Sequence, residues 1–322
     1  MKVSADIEQI VDAALKGEQP GHDELVRLMD VDEFSLDAAY IKWAGDYRRR
    51  EMCNNTAEVH AQVGIDANPC SKNCRFCSFA ASNSAREGKM EMPVEKIIEY
   101  AKDYVEHGAN CLTFMITADY DFGQYLDYMA QVREAVGPDI PMTANMGDFT
   151  AQQAEQLKQV GFGSVYHAVR MGEGIVNTIP IDTRFETIQN AHDAGLKVLT
   201  CLEMIDPRWS NDEVATNMLR LANMHPQMCN AWGMVAVPGT EACNDEHYNH
   251  VRYDLYDCIM RLCCDERTIF GCGTLSWAEV GTNPRDSSNA TEVDGIGPDI
   301  EDTFDCFEHK GFKTFRGPSK LW

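Results

Sequence analysis

The stretch NPCSKNCRFCSF, residues 68–79, places Cys70, Cys74 and Cys77 within eight residues, with Phe76 directly before the third thiol. Three thiolates can hold three irons of a 4Fe-4S cluster and leave the fourth iron an open coordination site. The absent fourth ligand then reads as a vacancy for chemistry. Two other readings use the same residues. A structural zinc ion wants four protein ligands, and His60 or His107 would have to complete the set. Alternatively, the thiols are small buried hydrophobes that happen to lie close together.

A loop of this kind needs rigid elements to hold it. From residue 57 onward, short apolar runs alternate with amphipathic stretches, the texture of βαβ units around a parallel sheet. Strands are predicted near 59–66, 110–117, 141–146, 163–170, 196–205, 228–237 and 267–273, and helices near 93–107, 122–136, 150–160, 182–194, 210–224 and 245–264. Gly108, Gly161 and Gly195 each stand between a helix and the next strand, where a residue without Cβ closes a helix at no steric cost. Beyond 273 the stretch SWAEVGTNPRDSSNATEVDGIG has no clear period. The predicted fold class is α/β: a full or partial TIM-type (β/α) barrel over 53–322 with an irregular C-terminal segment. Residues 1–52 read as an N-terminal helical extension packed on it. The cysteine loop follows the first strand, at the end of the barrel where active sites lie. An open doubly wound sheet competes, but it would carry a glycine-rich turn at this point.

Bulk properties exclude some functions. The 322 residues carry 28 Lys and Arg against 51 Asp and Glu, a formal charge of −23, which speaks against a surface that tracks phosphates and so against nucleic acid as a partner. The N-terminus is acidic and amphipathic rather than basic then apolar, and no run of about 18 apolar residues could span a bilayer. A cytoplasmic protein without a membrane partner is the expectation. Thirteen cysteines, an odd number, argue further against a disulfide framework in a reducing compartment.

The cysteine spacing with its aromatic resembles the motif of the radical S-adenosylmethionine superfamily. Together with the helical preface, RFETIQNAHDAGLKV and VAVPGTE, the chain is similar to the biotin synthase-like branch, which includes biotin synthase, methylornithine synthase and an iron-only hydrogenase maturase. The resemblance implies a radical enzyme in which Cys70, Cys74 and Cys77 bind a 4Fe-4S cluster and the open iron chelates S-adenosylmethionine. One electron, from a donor such as ferredoxin or flavodoxin, then yields a 5′-deoxyadenosyl radical that takes hydrogen from a small-molecule substrate. It also implies that Phe76 packs beside the adenine, that Arg184 pairs with the methionine carboxylate, and that Glu173 approaches the same amino acid moiety.

Alternation along LTCLEMIDP places Cys201, Glu203 and Ile205 on one face. A carboxylate in so apolar a strand is costly to bury unpaired, which makes Glu203 a contact for substrate or cofactor, with Ile205 beside it. Asn145, Tyr166, His167 and Arg170 fall near the ends of strands three and four, where Asn145 would touch cofactor and Tyr166 and Arg170 would act with Glu203. Asp148 is either a pocket residue or a helix cap. The inner-strand ligand set that biotin synthase uses for a second cluster is not reproduced: Thr113 and Asn145 or Met146 stand on strands two and three, and Cys201 is shifted. Sulfur insertion is therefore the second enzymatic reading. A non-catalytic metal protein or a cofactor-assembly scaffold is the reading from another class.

Overall fold

The computed structural model describes residues 2–83, 91–234, 236–265, 268, 271–272, 287–292 and 300–320. Ten strands are described, β1 (Glu58–Gly64), β2 (Cys111–Met115), β3 (Met142–Asn145), β4 (Ser164–Tyr166), β5 (Val169–Arg170), β6 (Lys197–Leu199), β7 (Leu202–Ile205), β8 (Ala231–Gly233), β9 (Gly271–Cys272) and β10 (Ser287–Glu292). All their pairings are parallel, in the orders β6-β4-β3-β2-β1-β10-β9 and β5-β7-β8. The two sheets are one wall. Backbone bonds from His167 to Leu199, Val169 to Cys201 and Thr200 to Met228, all 2.8–2.9 Å, bridge the gaps.

Predicted strands 163–170 and 196–205 are thus each a single path broken in two, as β4/β5 and β6/β7. Counted by path, eight strands follow one another around the wall in chain order, the arrangement of a (β/α)8 barrel. The eighth path, β10, falls where the sequence has no period, because SSNATE is small and polar and alternates nothing apolar.

Side chains sort by the two-residue period of the strand. Val59, Ala61, Val63, Leu112, Phe114, Met142, Ala144, Val165 and Val198 are fully buried in one continuous apolar core shared with the surrounding helices. The alternate positions are polar: His60, Gln62, Thr113, Thr143, Asn145, Ser164 and Tyr166. The Thr143 and Ser164 hydroxyls pair at 2.7 Å, and the Cys111 thiol lies 3.3 Å from Thr143 Oγ1. The inner face of the wall is therefore largely polar, and its hydroxyls partly satisfy one another.

The barrel helices are α4 (Val94–Glu106), α5 (Phe122–Val136), α6 (Ala151–Val160), α7 (Ile181–Asp193), α8 (Asn211–Ala222) and α9 (His250–Cys263), followed by α10 (Ile300–His309). Thr150 caps α6 in a reciprocal box with Gln153, and Ser210 does the same for α8 with Glu213. The α6 cap is therefore not Asp148, which is left for another task. The N-terminal helices α1 (Ala5–Leu15), α2 (His22–Met29) and α3 (Leu36–Met52) lie against α8 and α9. Arg48 donates to the carbonyls of Leu262 and Cys264 at 2.9 Å, and Arg252 to those of Val31 and Met29. At the opposite end of the barrel from the cysteines, the C-terminal segment crosses under β1. There Lys313 exchanges backbone bonds with Asn55 and Ala57, and the Lys320 N–H reaches the buried Glu58 carboxylate at 2.8 Å. Among the described residues no helix is long and apolar enough to cross a membrane.

Gly233 in β8 is where backbone and side chain approach most closely: a Cβ there would lie 1.8 Å from Tyr253 Cζ on α9. Gly233→Ala is expected to lower unfolding free energy by about 3 kcal/mol, at the upper end for an overpacked core. Gly163→Ala, with nothing within 4 Å, should change it little; urea titration of both variants checks the contrast.

Candidate cluster site at the mouth of the barrel

The loop after β1 is tied down at each step. Asp66 accepts from the N–H and the hydroxyl of Thr117, both at 2.7 Å, which fastens the exit of β1 to that of β2. The Ser71 hydroxyl donates to Asp119 at 2.9 Å. Cys70 N–H donates to Phe79 O at 2.7 Å, Ala81 N–H returns to Cys70 O at 2.9 Å, and Cys77 N–H donates to Cys74 O at 3.0 Å. Asn73 supplies the left-handed turn between the first two thiols, at φ +50, a conformation asparagine tolerates.

Asn83 closes the loop from inside. It is 7% exposed. Its side-chain N–H groups reach Cys77 O at 2.8 Å and Arg75 O at 3.3 Å, and its Oδ1 accepts from Glu241 N–H at 3.0 Å. That last bond joins the loop to the PGTEAC turn, where Ala242 N–H also donates to Arg75 O. Arg75 pairs with Glu241 at 3.2 Å and with Asp245 at 3.1 Å, and Asp245 pairs in turn with Arg208 at 3.1 Å.

The three thiols are free and half-buried. Burial pushes Cys70 up, and the charges of Asp119 and Cys77 add to it against backbone N–H groups that pull down. Burial likewise raises Cys74, opposed by Arg170 and reinforced by Cys77. Burial thus favours the neutral thiols of Cys70 and Cys74, and a bound cation would favour their thiolates. A 4Fe-4S cube takes its cysteines on three separate irons, and this donor set fits it. The four-ligand zinc alternative does not assemble. His60 lies on β1 3.3 Å from Glu58, and His107 bonds back to Asp103 O at 2.8 Å. Among the described residues no three His, Cys, Asp or Glu side chains are placed to hold a single ion.

Beside the thiols is a network of buried charges. Arg184, on α7 and only 5% exposed, donates from Nε to Glu173 Oε1 at 2.7 Å and from Nη1 to Asp148 Oδ2 at 3.1 Å. Asp148 Oδ1 also meets His167 Nε2 at 3.0 Å and the Thr187 hydroxyl at 3.2 Å. Burial alone would raise the Asp148 carboxyl, but the His167 hydrogen bond and the Arg184 charge outweigh it and hold it down to about 2. Burial lowers His167, which Asp148 only partly opposes. Arg170 Nε lies 2.9 Å from Glu203 Oε2, and the Tyr166 hydroxyl donates to Glu203 Oε1 at 2.6 Å. Burial and the Glu203 charge raise the Tyr166 phenol far above its ordinary value, so it stays a donor. The Arg170 guanidinium stands 5.6 Å from the Phe76 ring.

Two buried atoms of this network, Arg170 Nε and Glu173 Oε2, make no hydrogen bond, though Arg170 Nε keeps its ion pair with Glu203. Glu173 Oε2 is buried and has no hydrogen-bond partner, a costly state for a carboxylate oxygen. It fits a site that receives an ammonium group from a ligand.

Most of the residues singled out from sequence converge here: Cys70, Cys74, Cys77, Phe76, Tyr166, Arg170, Glu173, Arg184 and Glu203. Asn145 stands opposite Tyr166 in the β3/β4 register, on the polar inner face. Ile205 is a correction. Met204 adopts φ +63 and the β7/β8 register shifts between Leu202 and Ile205. This bulge returns the Ile205 side chain to the apolar core with Leu202, not to the face of Glu203. Asn83, Asn177 and Thr187 were not singled out; isolated amides and hydroxyls in loops and helices carry no periodic signal. Asn177 holds the turn after Glu173, accepting from Gly174 and Ile179 N–H at 3.2 and 2.9 Å, and hydrogen bonds to Cys74.

Residues 65–221 match the radical SAM superfamily. That match spans just under half of the chain. It is 30% identical to the biotin synthase of Picosynechococcus sp. over 169 residues, 48% of this chain and 46% of that protein. To the biotin synthase of Hahella chejuensis it is 29% identical over 205 residues, 60% of this chain and 56% of that protein. The chain thus matches about half the length of these relatives. Its fold is similar to that of methylornithine synthase, with a TM-score of 0.82 at 13% identity, covering 97% of this chain and 98% of that one. It is also similar to that of the FeFe-hydrogenase maturase of Carboxydothermus hydrogenoformans, with a TM-score of 0.76 at 15% identity, covering 96% and 79%. The matched stretch runs from the exit of β1 into α8, and holds the thiols and the whole charge network.

Two outcomes are expected. Asn83→Ala leaves the buried carbonyls of Arg75 and Cys77 without that donor, at a cost of about 1–3 kcal/mol. Iron should then leave the anaerobically reconstituted variant faster than the parent under chelator challenge. Asp148 has its ordinary value at 3.8 and sits at about 2 in the fold, so its contribution is complete above pH 3.8 and disappears as pH falls through 2. At neutral pH it amounts to about 2 kcal/mol. Asp148→Asn should flatten the loss of stability on acidification below pH 4, measured by urea unfolding at stepped pH.

Proposed function

We propose that this chain is a radical enzyme that binds a 4Fe-4S cluster and S-adenosylmethionine and abstracts hydrogen from a small polar substrate, an amino acid or a cofactor precursor, leading to rearrangement, fragmentation or carbon-carbon bond formation. The observation that carries the reading is the meeting, past the C-terminal end of β1, of three half-buried free thiols with a buried cradle of carboxylates and guanidiniums. When bound, the cluster supplies the electron that splits a carbon-sulfur bond of S-adenosylmethionine, giving the 5′-deoxyadenosyl radical that takes hydrogen from substrate.

The chain's own residues do the rest. Cys70, Cys74 and Cys77 hold three corners of the cube, kept in place by the loop's backbone bonds and Asn83. Glu173 offers its unpartnered Oε2 to the amino group of the methionine moiety. Arg184, fixed by Asp148, presents a guanidinium to the carboxylate, for which its planar fork is well suited. Phe76 gives an apolar edge beside the adenine. Glu203, oriented by Arg170 and Tyr166, faces the barrel interior, where it accepts a hydrogen bond from a substrate amine or hydroxyl, with Asn145 alongside. The electron donor is a small carrier such as ferredoxin or flavodoxin, and the setting is cytoplasmic.

Anaerobic reconstitution with iron and sulfide, followed by dithionite and S-adenosylmethionine, should yield 5′-deoxyadenosine by liquid chromatography. Cys74→Ala should yield none. A fully loaded parent that forms no 5′-deoxyadenosine overturns the proposal. The similarity to biotin synthases favours sulfur insertion as a second reading. It requires iron and sulfide beyond one cluster per chain, and the inner-strand residues Thr113 and Asn145 do not offer thiols for it.

A further inference from the structure

Arg184 is held at two of its three guanidinium nitrogens. Nε donates to Glu173 at 2.7 Å and Nη1 to Asp148 at 3.1 Å, while among the described residues Nη2 has no hydrogen-bond partner. The Arg184 charge also acts on the Cys74 thiol, which sets the guanidinium beside the cysteine loop. Nη2 is thus the nitrogen left for a ligand, and where it points depends on what holds the other two. Glu173 holds Nε from a turn between Gly172 and Gly174, both at positive φ. Asp148 holds Nη1 from the loop between β3 and α6, and a carboxylate turns easily about its last bond unless both oxygens are committed.

Both oxygens of Asp148 are committed. Oδ2 takes Arg184, while Oδ1 takes His167 Nε2 at 3.0 Å and lies 3.2 Å from the Thr187 hydroxyl. The two Oδ1 partners are not equivalent. A hydroxyl has one hydrogen to give, and that of Thr187 also lies 2.9 Å from Thr183 O, one turn back on α7. Asp148, held down to about 2, is ionised and only accepts, so the hydrogen on its other contact belongs to His167 Nε2. Among the described residues that nitrogen has no second partner.

His167 is itself pinned. It is 2% exposed and stands where the fourth strand path pauses between β4 and β5. Its N–H donates to Leu199 O at 2.8 Å, its carbonyl accepts from the Thr200 hydroxyl at 2.8 Å, and its ring meets that of Phe149 edge-on at 6.0 Å. The fourth and fifth paths therefore fix the imidazole, and the imidazole fixes the plane of the Asp148 carboxylate. That plane sets the direction of Nη1, and the guanidinium is a rigid fork, so it sets the direction of Nη2 as well.

We propose that His167 is a positioning residue, which acts through Asp148 to aim Arg184 Nη2 at the carboxylate of a bound amino acid moiety and so makes the site selective for ligands that carry one. The proposal rests on the reading that this site takes S-adenosylmethionine. Equilibrium dialysis of the anaerobically reconstituted chain tests it, with S-adenosylmethionine and its decarboxylated form, which keeps the adenosine, sulfonium and amine, as the two probes. The parent should bind the carboxylated ligand more tightly. His167→Phe should weaken S-adenosylmethionine about tenfold, the worth of one hydrogen bond to a charged group, and leave the decarboxylated form unchanged. His167→Gln, whose amide presents an N–H near the position of Nε2, should recover most of the loss. Thr187→Val, with only a shared hydroxyl to lose, should cost no more than about threefold. A folded His167→Phe that keeps the parent's preference overturns the proposal, as does one that loses both ligands equally, the mark of a purely structural role. His167→Leu, smaller than the imidazole, decides in its place should the phenyl ring not pack. A Thr187→Val loss as large as that of His167→Phe also overturns it. A parent that binds neither ligand, or both alike, overturns the reading of the site and the proposal with it.

Discussion

The site depends on keeping five charged side chains in a place largely stripped of water. Arg170, Arg184, Asp148, Glu173 and Glu203 have side chains between 0% and 21% exposed. Each alone would be expensive to bury, and removal of one partner would leave another uncompensated. They are tolerable only as a connected set: Asp148 and Glu173 share Arg184, Glu203 takes Arg170, and Tyr166, Thr187 and His167 fill remaining acceptor positions. Burial also places the titrating members. Asp148 stays ionised because three donors face it, while burial disfavours the charged form of His167. The network is therefore rigid, and it fixes the wall against which the thiols sit.

The irregularities of the barrel are what bring this set together. Straight, evenly paired strands would run Arg170 and Glu203 past the end of the wall at fixed spacing. Instead the fourth and fifth paths pause at His167 and Ala168 and at Thr200 and Cys201. They then resume as β5 and β7, with Arg170 directly opposite Glu203. The His167 side chain is thereby freed to reach Asp148, and the bulge at Met204 sends Ile205 outward. Such bulges at barrel rims commonly re-aim side chains at functional positions.

This division explains what could be read beforehand. Periodic signals carried the fold: apolar alternation located the first six strand paths, and Gly108, Gly161 and Gly195 do adopt positive φ between helix and strand. Local chemistry carried the thiol loop, because three cysteines in eight residues are rare enough to stand out. The cost of burying charge pointed to Glu203. Deviations from period were not legible. The alternation that put Ile205 beside Glu203 is correct for an unbroken strand, and nothing in LTCLEMIDP announces a residue at φ +63. β10 was hidden for the opposite reason, as a strand whose sequence has no apolar face. Asn83 and Asn177 work by hydrogen bonds to backbone at long or irregular separations, which composition and spacing do not encode.

Charge balance joins the two halves of the site. Two guanidiniums face three carboxylates, one more than they can pair singly, and burial raises the Glu173 carboxyl against the pull of Arg184 and Arg170. That excess has an address, since Glu173 Oε2 is the carboxylate oxygen among these residues that is both buried and without a donor. S-adenosylmethionine, with an ammonium, a sulfonium and a carboxylate, has a net charge of plus one. A ligand with an amino group at Glu173 and a carboxylate at Arg184 would give the orphaned oxygen a donor and the guanidinium a planar acceptor together.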